Sequence, residues 1–134
     1  MKEERDETRR TRGLAQLAKL DGQSGEVTVA SMGELGRYLV EFGFGEIYSR
    51  QGLSLRDREF AAIAMLIAMG RDQQVRFHLG AALNVGLTAE ELEELIIHTV
   101  PFAGFPTAIN ALNILKQVLA EIKAARSQAG TSET

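Results

Sequence analysis

The stretch LRDREFAAIAMLIAMGRDQQVRFHLGAALNVGLTAEELEELIIHTV, residues 55–100, decides how this chain folds. Its apolar residues recur at the three- and four-residue steps of a helix, without the strict alternation of a half-buried strand. Ser54 is placed to cap a first segment, Leu55 to Met69, which after Arg56, Asp57 and Arg58 is apolar around most of its circumference. A helix apolar nearly all round is a buried one, so this is the expected central core helix. Gly70 and Arg71 form a tight connection, and Asp72 is the expected N-cap of a second helix through Val75, Leu79, Ala82 and Leu83. Asn84 and Gly86 supply a left-handed exit. Thr88 and Glu91 then form a capping box, and Glu90, Glu91, Glu93 and Glu94 complement the dipole of a third helix with Leu92, Leu95, Ile96 and Thr99 on its inner side.

Downstream, Pro101 ends that helix, because it lacks a backbone donor and restricts its predecessor. Gly104 and Pro106 turn the chain into a last helix from Thr107 to about Ala125, carried by Ile109, Leu112, Leu115, Val118, Leu119 and Ile122. Upstream, Ser31 and Glu34 match a second capping box and predict a helix from Met32 to Ile47. Gly43 and Gly45 lie inside it at about 1 kcal/mol each against Ala, so either the helix breaks there or something packs closely. Leu14, Leu17 and Leu20 make a short helix ended by Gly22, Ser24 and Gly25, and the charged residues before them form a solvated helix start or an arm packing on a neighbouring subunit. Glu26 to Ala30 is the one weak strand candidate. The fold class is therefore all-α: a single-domain helical bundle of about six helices, with an arm and loop over 1–30, the helical domain over 31–126 and a polar, disordered tail over 127–134.

Composition narrows the function. A chain of 134 residues supports one core, and 45% apolar with 25% charged residues describes a soluble globular protein. A formal net charge of -3 provides no basic field for nucleic acid or an anionic membrane. The absence of cysteine removes disulfides, thiolate nucleophiles and thiolate metal sites together. MKEERDETRRTRG at the N-terminus is charged, unlike a secretory signal, and the longest apolar run, Phe60 to Met69, is about ten residues where a span needs roughly 20. A cytoplasmic protein is expected.

The candidates for chemistry are two histidines, several carboxylates and a set of arginines. Arg71, Gln74 and His78 fall on one side of their helix at three- and four-residue steps. A histidine between Phe77 and Leu79 also suits a structural role, and His98, inside Leu95 to Val100, suits a hydrogen-bonded core or interface position. No zinc ligand set, phosphate loop, dinucleotide fingerprint or nucleophile elbow is present. Arg50, Arg56, Arg58, Arg71 and Arg76 taken singly read as solvated or ion-paired; grouped near His78 they suit an anionic carboxylate ligand.

FGEIYSRQGL (Phe44 to Leu53), RDREF, AMLIAMGR, VRFHLGAALNVGLTAEELEELIIH and PFAGFPTAINA together resemble the carboxymuconolactone decarboxylase family, over roughly 42–119. The wider superfamily includes alkylhydroperoxidase D, whose all-α fold the resemblance implies. Glu59 and His78 occupy the Glu and His positions of that peroxidase's site, while Arg71 and Gln74 stand where its two cysteines would be. Dithiol peroxidase chemistry needs both thiols, so the chain is not a thiol peroxidase. It departs from the decarboxylases at Phe102-Ala103-Gly104-Phe105-Pro106, where they have Tyr-Cys-Gly-x-Pro, at Phe44 and Tyr48, where Trp is common, and at the peroxidase-like Glu59.

The resemblance implies a carboxy-lyase that needs no metal or organic cofactor, acting on 4-carboxymuconolactone or a related lactone acid to give 3-oxoadipate enol-lactone in aromatic catabolism. It implies His78 as general acid or donor to the developing enolate, Glu46 as the carboxylate that orients it or relays the proton, and Glu59 as a partner behind His78. Arg71 and Arg76 would bind substrate carboxylates, with an ion pair as the other reading of Arg76, and Gln74 would join them. Phe102 and Phe105 would give the scissile carboxylate an apolar surface. The family also implies a homo-oligomer, a trimer or hexamer. Isomerisation or aldol-type chemistry on a lactone or ketoacid, and a non-catalytic oligomeric binding protein, are the alternatives.

Overall fold

The computed structural model describes residues 2–22 and 25–131, with side chains over 8–22 and 25–130, and every regular element among them is helical. The order is α1 (Lys2–Asp21), α2 (Gly25–Val29), α3 (Gly33–Tyr38), a π-helical segment (Leu39–Ile47), α4 (Leu55–Met69), α5 (Asp72–Asn84), α6 (Ala89–His98), α7 (Val100–Ala103) and α8 (Phe105–Thr131).

The capping chemistry of the decisive stretch is where the sequence puts it. Ser54 Oγ accepts the Asp57 amide at 3.0 Å, Gly70 closes α4 at φ +70°, and Thr88 and Glu91 exchange both bonds of their box, at 3.1 and 3.2 Å. Gly86 takes the positive φ of the α5 exit, while Asn84 stays helical and donates to the Leu20 carbonyl at 2.7 Å, tying α5 to α1. Arg71, and not Asp72, is the N-cap of α5, and it offers no side-chain cap.

The N-terminal part departs further from expectation. The segment read as one helix from Met32 to Ile47 divides at Leu39, and Met32 is its N-cap without a side-chain bond, because Glu34 is drawn to Arg37 at 2.9 Å instead of closing a box with Ser31. Glu26 to Ala30, the weak strand candidate, is no strand: Gly25–Val29 is a short helix and Ala30 lies in the turn after it. α8 continues through Ser127 to Thr131, over the first part of the expected disordered tail of 127–134, and 132–134 lie outside the described residues.

Gly45 and Gly13 explain why the glycines are there. A Cβ on Gly45 would lie 2.4 Å from the Arg9 carbonyl oxygen, and one on Gly13 would lie 2.1 Å from that of Val40. The π-helical segment and α1 thus pack backbone against backbone. Arg12 donates to the Gly45 carbonyl at 3.2 Å, and Arg9 reaches the Glu46 carboxylate at 2.6 Å.

Two apolar clusters result. Ile63, Ile67, Val75, Leu79, Leu92, Leu95 and Leu115 join α4, α5, α6 and α8, and Leu17, Leu20, Val29, Val40, Phe44 and Ala81 join α1, α2, the π-helical segment and α5. α5 belongs to both. α4 is buried along one face only, at Glu59, Ile63 and Ile67; Phe60, Met65 and Met69 are exposed, which corrects the reading of a helix enclosed all round, because its helical neighbours lie on one side.

Two glycine substitutions separate close packing from simple helix propensity. Gly45→Ala should lower stability by about 1–3 kcal/mol, as overpacking does. Gly80→Ala, in α5 with nothing within 4 Å of the added carbon, should leave it unchanged or raise it by up to about 1 kcal/mol. Urea unfolding midpoints of the two variants against the parent protein test both.

Candidate functional site

The stripe that buries Ile63 and Ile67 on α4 continues one turn back to Glu59, which is 0% exposed. A carboxylate at such a position needs a partner of comparable polarity. α5 supplies one: Glu59 Oε2 lies 2.6 Å from His78 Nδ1, and the histidine side chain keeps 17% of its surface. The Phe77 ring stands edge-on to the imidazole, with centroids 5.1 Å apart and planes at 87°. With Glu59 as carboxylate, Nδ1 carries the proton and donates, which leaves Nε2 to meet a ligand.

His78 forms part of the wall of a cavity of about 550 Å³. Its apolar lining is Leu17, Met32, Leu35, Leu39, Phe44 and Phe77, drawn from α1, α3, the π-helical segment and α5, with Met32 just before α3. Thr28, Gln73, Gln74 and His78 provide the polar atoms. A mainly apolar cavity with a few convergent polar groups is what a small organic ligand requires.

Of the expected site residues, the structure brings together Glu59, Gln74 and His78. Glu46 is elsewhere: its carboxylate is bound by Arg9 at 2.6 Å and Arg12 at 3.5 Å on α1, so the carboxylate beside His78 is Glu59. Arg76 is turned to α8, where it pairs with Glu121 at 2.9 Å and bonds Gln117, the ion-pair alternative for this residue. Phe102 and Phe105 are 79% and 67% exposed on α7 and the start of α8, and Phe102 packs on His98 at 5.4 Å; Phe44 and Phe77 hold the cavity wall instead. Arg71 is exposed at the head of α5 and does not line the cavity. Arg56 pairs with Glu91, and Arg58 donates to the Arg50 carbonyl at 3.0 Å.

Sequence reasoning missed most of the wall. Leu35 and Leu39 are four apart on a helical pattern and read as ordinary core, and nothing local marks Leu17 or Thr28 as neighbours of His78. Tyr48 was also missed. It follows the π-helical segment, and its ring lies tilted against that of Phe44 with centroids 4.9 Å apart. Burial first, then the Glu59 charge and hydrogen bond, raise the phenol well above its ordinary range, with Arg58 acting in the opposite sense.

That shift has a definite sign in stability. A phenol that ionises later in the folded chain than in the unfolded one favours folding less as pH rises above the unfolded value of about 10. The fall in unfolding free energy between pH 9 and pH 11 should therefore be smaller in Tyr48→Phe than in the parent protein, with urea titrations at the two pH values as the measurement.

Comparison with known proteins points the same way as the geometry. The model of the carboxymuconolactone decarboxylase family matches residues 33–117. A 4-carboxymuconolactone decarboxylase of Acinetobacter baylyi is 38% identical over 85 residues, 63% of each chain. A nitrosuccinic acid decarboxylase of Metarhizium robertsii is 24% identical over 81 residues, 60% of this chain and 57% of that one. A 15.0 kDa uncharacterized protein of Paracoccus denitrificans is 32% identical over 85 residues, 62% of this chain and 63% of the other. The matched part is thus less than two thirds of each relative. The family model covers more than half of the chain, from α3 through Glu59 and His78 into α8, and the chain belongs to the carboxymuconolactone decarboxylase family.

Proposed function

We propose that the protein is a carboxy-lyase that removes carbon dioxide from 4-carboxymuconolactone or a related lactone acid, giving 3-oxoadipate enol-lactone in aromatic catabolism, without a metal or organic cofactor. The observation that carries the proposal is the Glu59–His78 pair, with Nδ1 engaged and Nε2 left for a ligand, in the wall of a largely apolar cavity. The two relatives named as decarboxylases support it. Their names share a chemistry: a carboxylate attached close to a group that can take up an electron pair, an unsaturated lactone in one and a nitro group in the other.

In this reading the substrate carboxylate lies against Phe44 and Phe77, where it is poorly solvated and its loss as neutral carbon dioxide is favoured over uniform binding of the ground state. The electrons of the breaking carbon–carbon bond pass into the conjugated lactone as an extended enolate. His78, as imidazolium, gives its Nε2 proton to carbon; one carbon–hydrogen bond replaces one carbon–carboxylate bond, and solvent returns the proton to the ring. Glu59 holds the ring orientation through Nδ1 and balances the imidazolium charge, the task first expected of Glu46. Gln73 and Gln74 orient the remaining polar groups, and Arg71, beside them in sequence, attracts the anionic substrate.

The exposed apolar side chains Phe60, Met65 and Met69 on α4, and Phe102, Phe105 and Ile109 on α7 and α8, form the contacts of a homo-oligomer in the same reading. No helix among the described residues is long and apolar enough to cross a membrane.

Purified protein incubated with 4-carboxymuconolactone should consume it with equimolar release of carbon dioxide. His78→Ala should lower turnover by about 100-fold or more, the range of general acid catalysis, with its helical circular dichroism unchanged. Equal turnover in the variant removes His78 from the reaction, and no turnover by the folded parent protein moves the substrate to another lactone or ketoacid. Arg71→Ala should raise KM by about tenfold with kcat within about twofold, as expected for a charge that attracts substrate without touching the reacting bond. Sedimentation velocity tests the oligomer, and a monomer at micromolar concentration would overturn it.

A further inference from the structure

The cavity beside His78 changes character across its wall. Leu17 and Phe44 are buried and His78 is half-buried, whereas Met32, Leu35 and Leu39 line the same cavity and are exposed, Leu35 to 72%. The three stand at steps of three and four residues, so they form one apolar stripe running from the start of α3 into the π-helical segment. The other exposed lining residues are Gln73 and Gln74, in the first turn of α5. The mouth of the cavity is therefore apolar where α3 forms it and carries amides where α5 forms it.

Backbone packing holds the stripe in place. Gly36 and Val40 are the buried residues of this segment, and a Cβ on Gly36 would lie 2.9 Å from the Val29 carbonyl oxygen, so α3 rests directly on the end of α2. The charges of the same segment are settled among themselves: Arg37 pairs with Glu34 at 2.9 Å and Glu41 at 3.2 Å, and lies over the Tyr38 ring. Thr28 gives its hydroxyl proton to Asp21 at 2.6 Å. Among the described residues, no Lys, Arg, Asp or Glu lines the cavity, and the donors left for a ligand, on Gln73, Gln74 and His78, all come from α5. A ligand that satisfies them has its remaining surface against the apolar stripe. The space allows it: about 550 Å³ is the share of about eighteen waters at about 30 Å³ each, and a lactone acid of about a dozen non-hydrogen atoms leaves part of it empty.

We propose that Met32, Leu35 and Leu39 form a subsite for an apolar substituent, so that the acid this site prefers carries an alkyl or aryl group in addition to its carboxylate. The polar end of the ligand is held from α5, and the substituent covers the exposed stripe at the mouth, where its removal from water favours binding. A second carboxylate at the same place would lose hydration with no cation in the wall to replace it, so it is accommodated only where it points out to solvent. The subsite rests on the reading of the His78 cavity as the substrate site, and it narrows the class of acid that the site takes.

Simple acids probe the subsite without any reaction. In nitrogen-15-labelled full-length protein titrated with butanoate, octanoate and octanedioate, octanoate should bind about tenfold or more tightly than butanoate, because each methylene laid on the stripe adds to affinity. Octanedioate should bind about tenfold or more weakly than octanoate. Octanoate should also shift the ring nitrogens of His78. Leu35→Ser changes an exposed side chain and should keep the helical circular dichroism, while lowering the octanoate-to-butanoate affinity ratio by about threefold or more. Octanedioate as tight as octanoate, a ratio unchanged in Leu35→Ser, octanoate binding that leaves His78 unshifted, or no octanoate binding at millimolar concentration each overturns the subsite. None of these measurements involves decarboxylation. Absence of lactone turnover with the affinities as expected counts against the carboxy-lyase reading alone, and turnover with octanoate and octanedioate bound equally counts against the subsite alone.

Discussion

The bond between Glu59 and His78 is the constraint to which the rest of the molecule is adjusted. A carboxylate wholly removed from water loses several kcal/mol of hydration, and only a well-placed partner offsets it. The partner is on the next helix, so the turn at Gly70 must bring α4 and α5 together in one register and no other. Ile63 and Ile67 on one side and Val75 and Leu79 on the other support that register, but apolar contacts tolerate sliding in a way that a 2.6 Å bond does not. The pair therefore gives α4 and α5 a unique alignment and places a polar ring at the inner edge of the second apolar cluster.

The second cluster gives that ring something to act on. α1 packs against both α5 and the π-helical segment, and Phe44 and Leu39 of that segment line the cavity together with Gln74 and His78. Residues before Gly33 are outside the region matched by the family, yet Leu17 and Thr28 complete the wall. The matched part thus supplies Glu59 and His78, and the preceding helices supply part of the enclosure.

Local signals made the decisive half of the fold legible. Caps at Ser54 and Thr88, the glycine at position 70 and the apolar stripes of α4 to α6 all act within one or two helical turns, and those elements stand where their residues place them. The π-helical geometry was not legible: the glycines at 43 and 45 marked a break or a close packing, but nothing local showed that the partner packed at Gly45 is α1, more than a helix away in sequence. Ser31 and Glu34 had the right spacing for a box, but Arg37 lies one turn on and competes for the same carboxylate. At the site, His78 and Gln74 could be found because they share a helix, and Glu59 through the family resemblance. Glu46 was misleading for an electrostatic reason: a carboxylate beside two arginines of α1 is satisfied there and has no cause to turn inward. Phe102 and Phe105 misled because an aromatic residue near a turn suits a pocket wall and a subunit contact equally well.

Gly13 and Gly45 hold α1 in place through main-chain atoms, and main-chain atoms are the same whatever side chains surround them. The position of this wall is therefore nearly independent of what its inward-facing residues are. Thr28, partly exposed on this wall, is a position where the side chain can change with less disturbance than at Leu17, which is buried in the core. Changes on α1 and α2 can thereby reshape the cavity while Glu59, His78 and their alignment stay as they are.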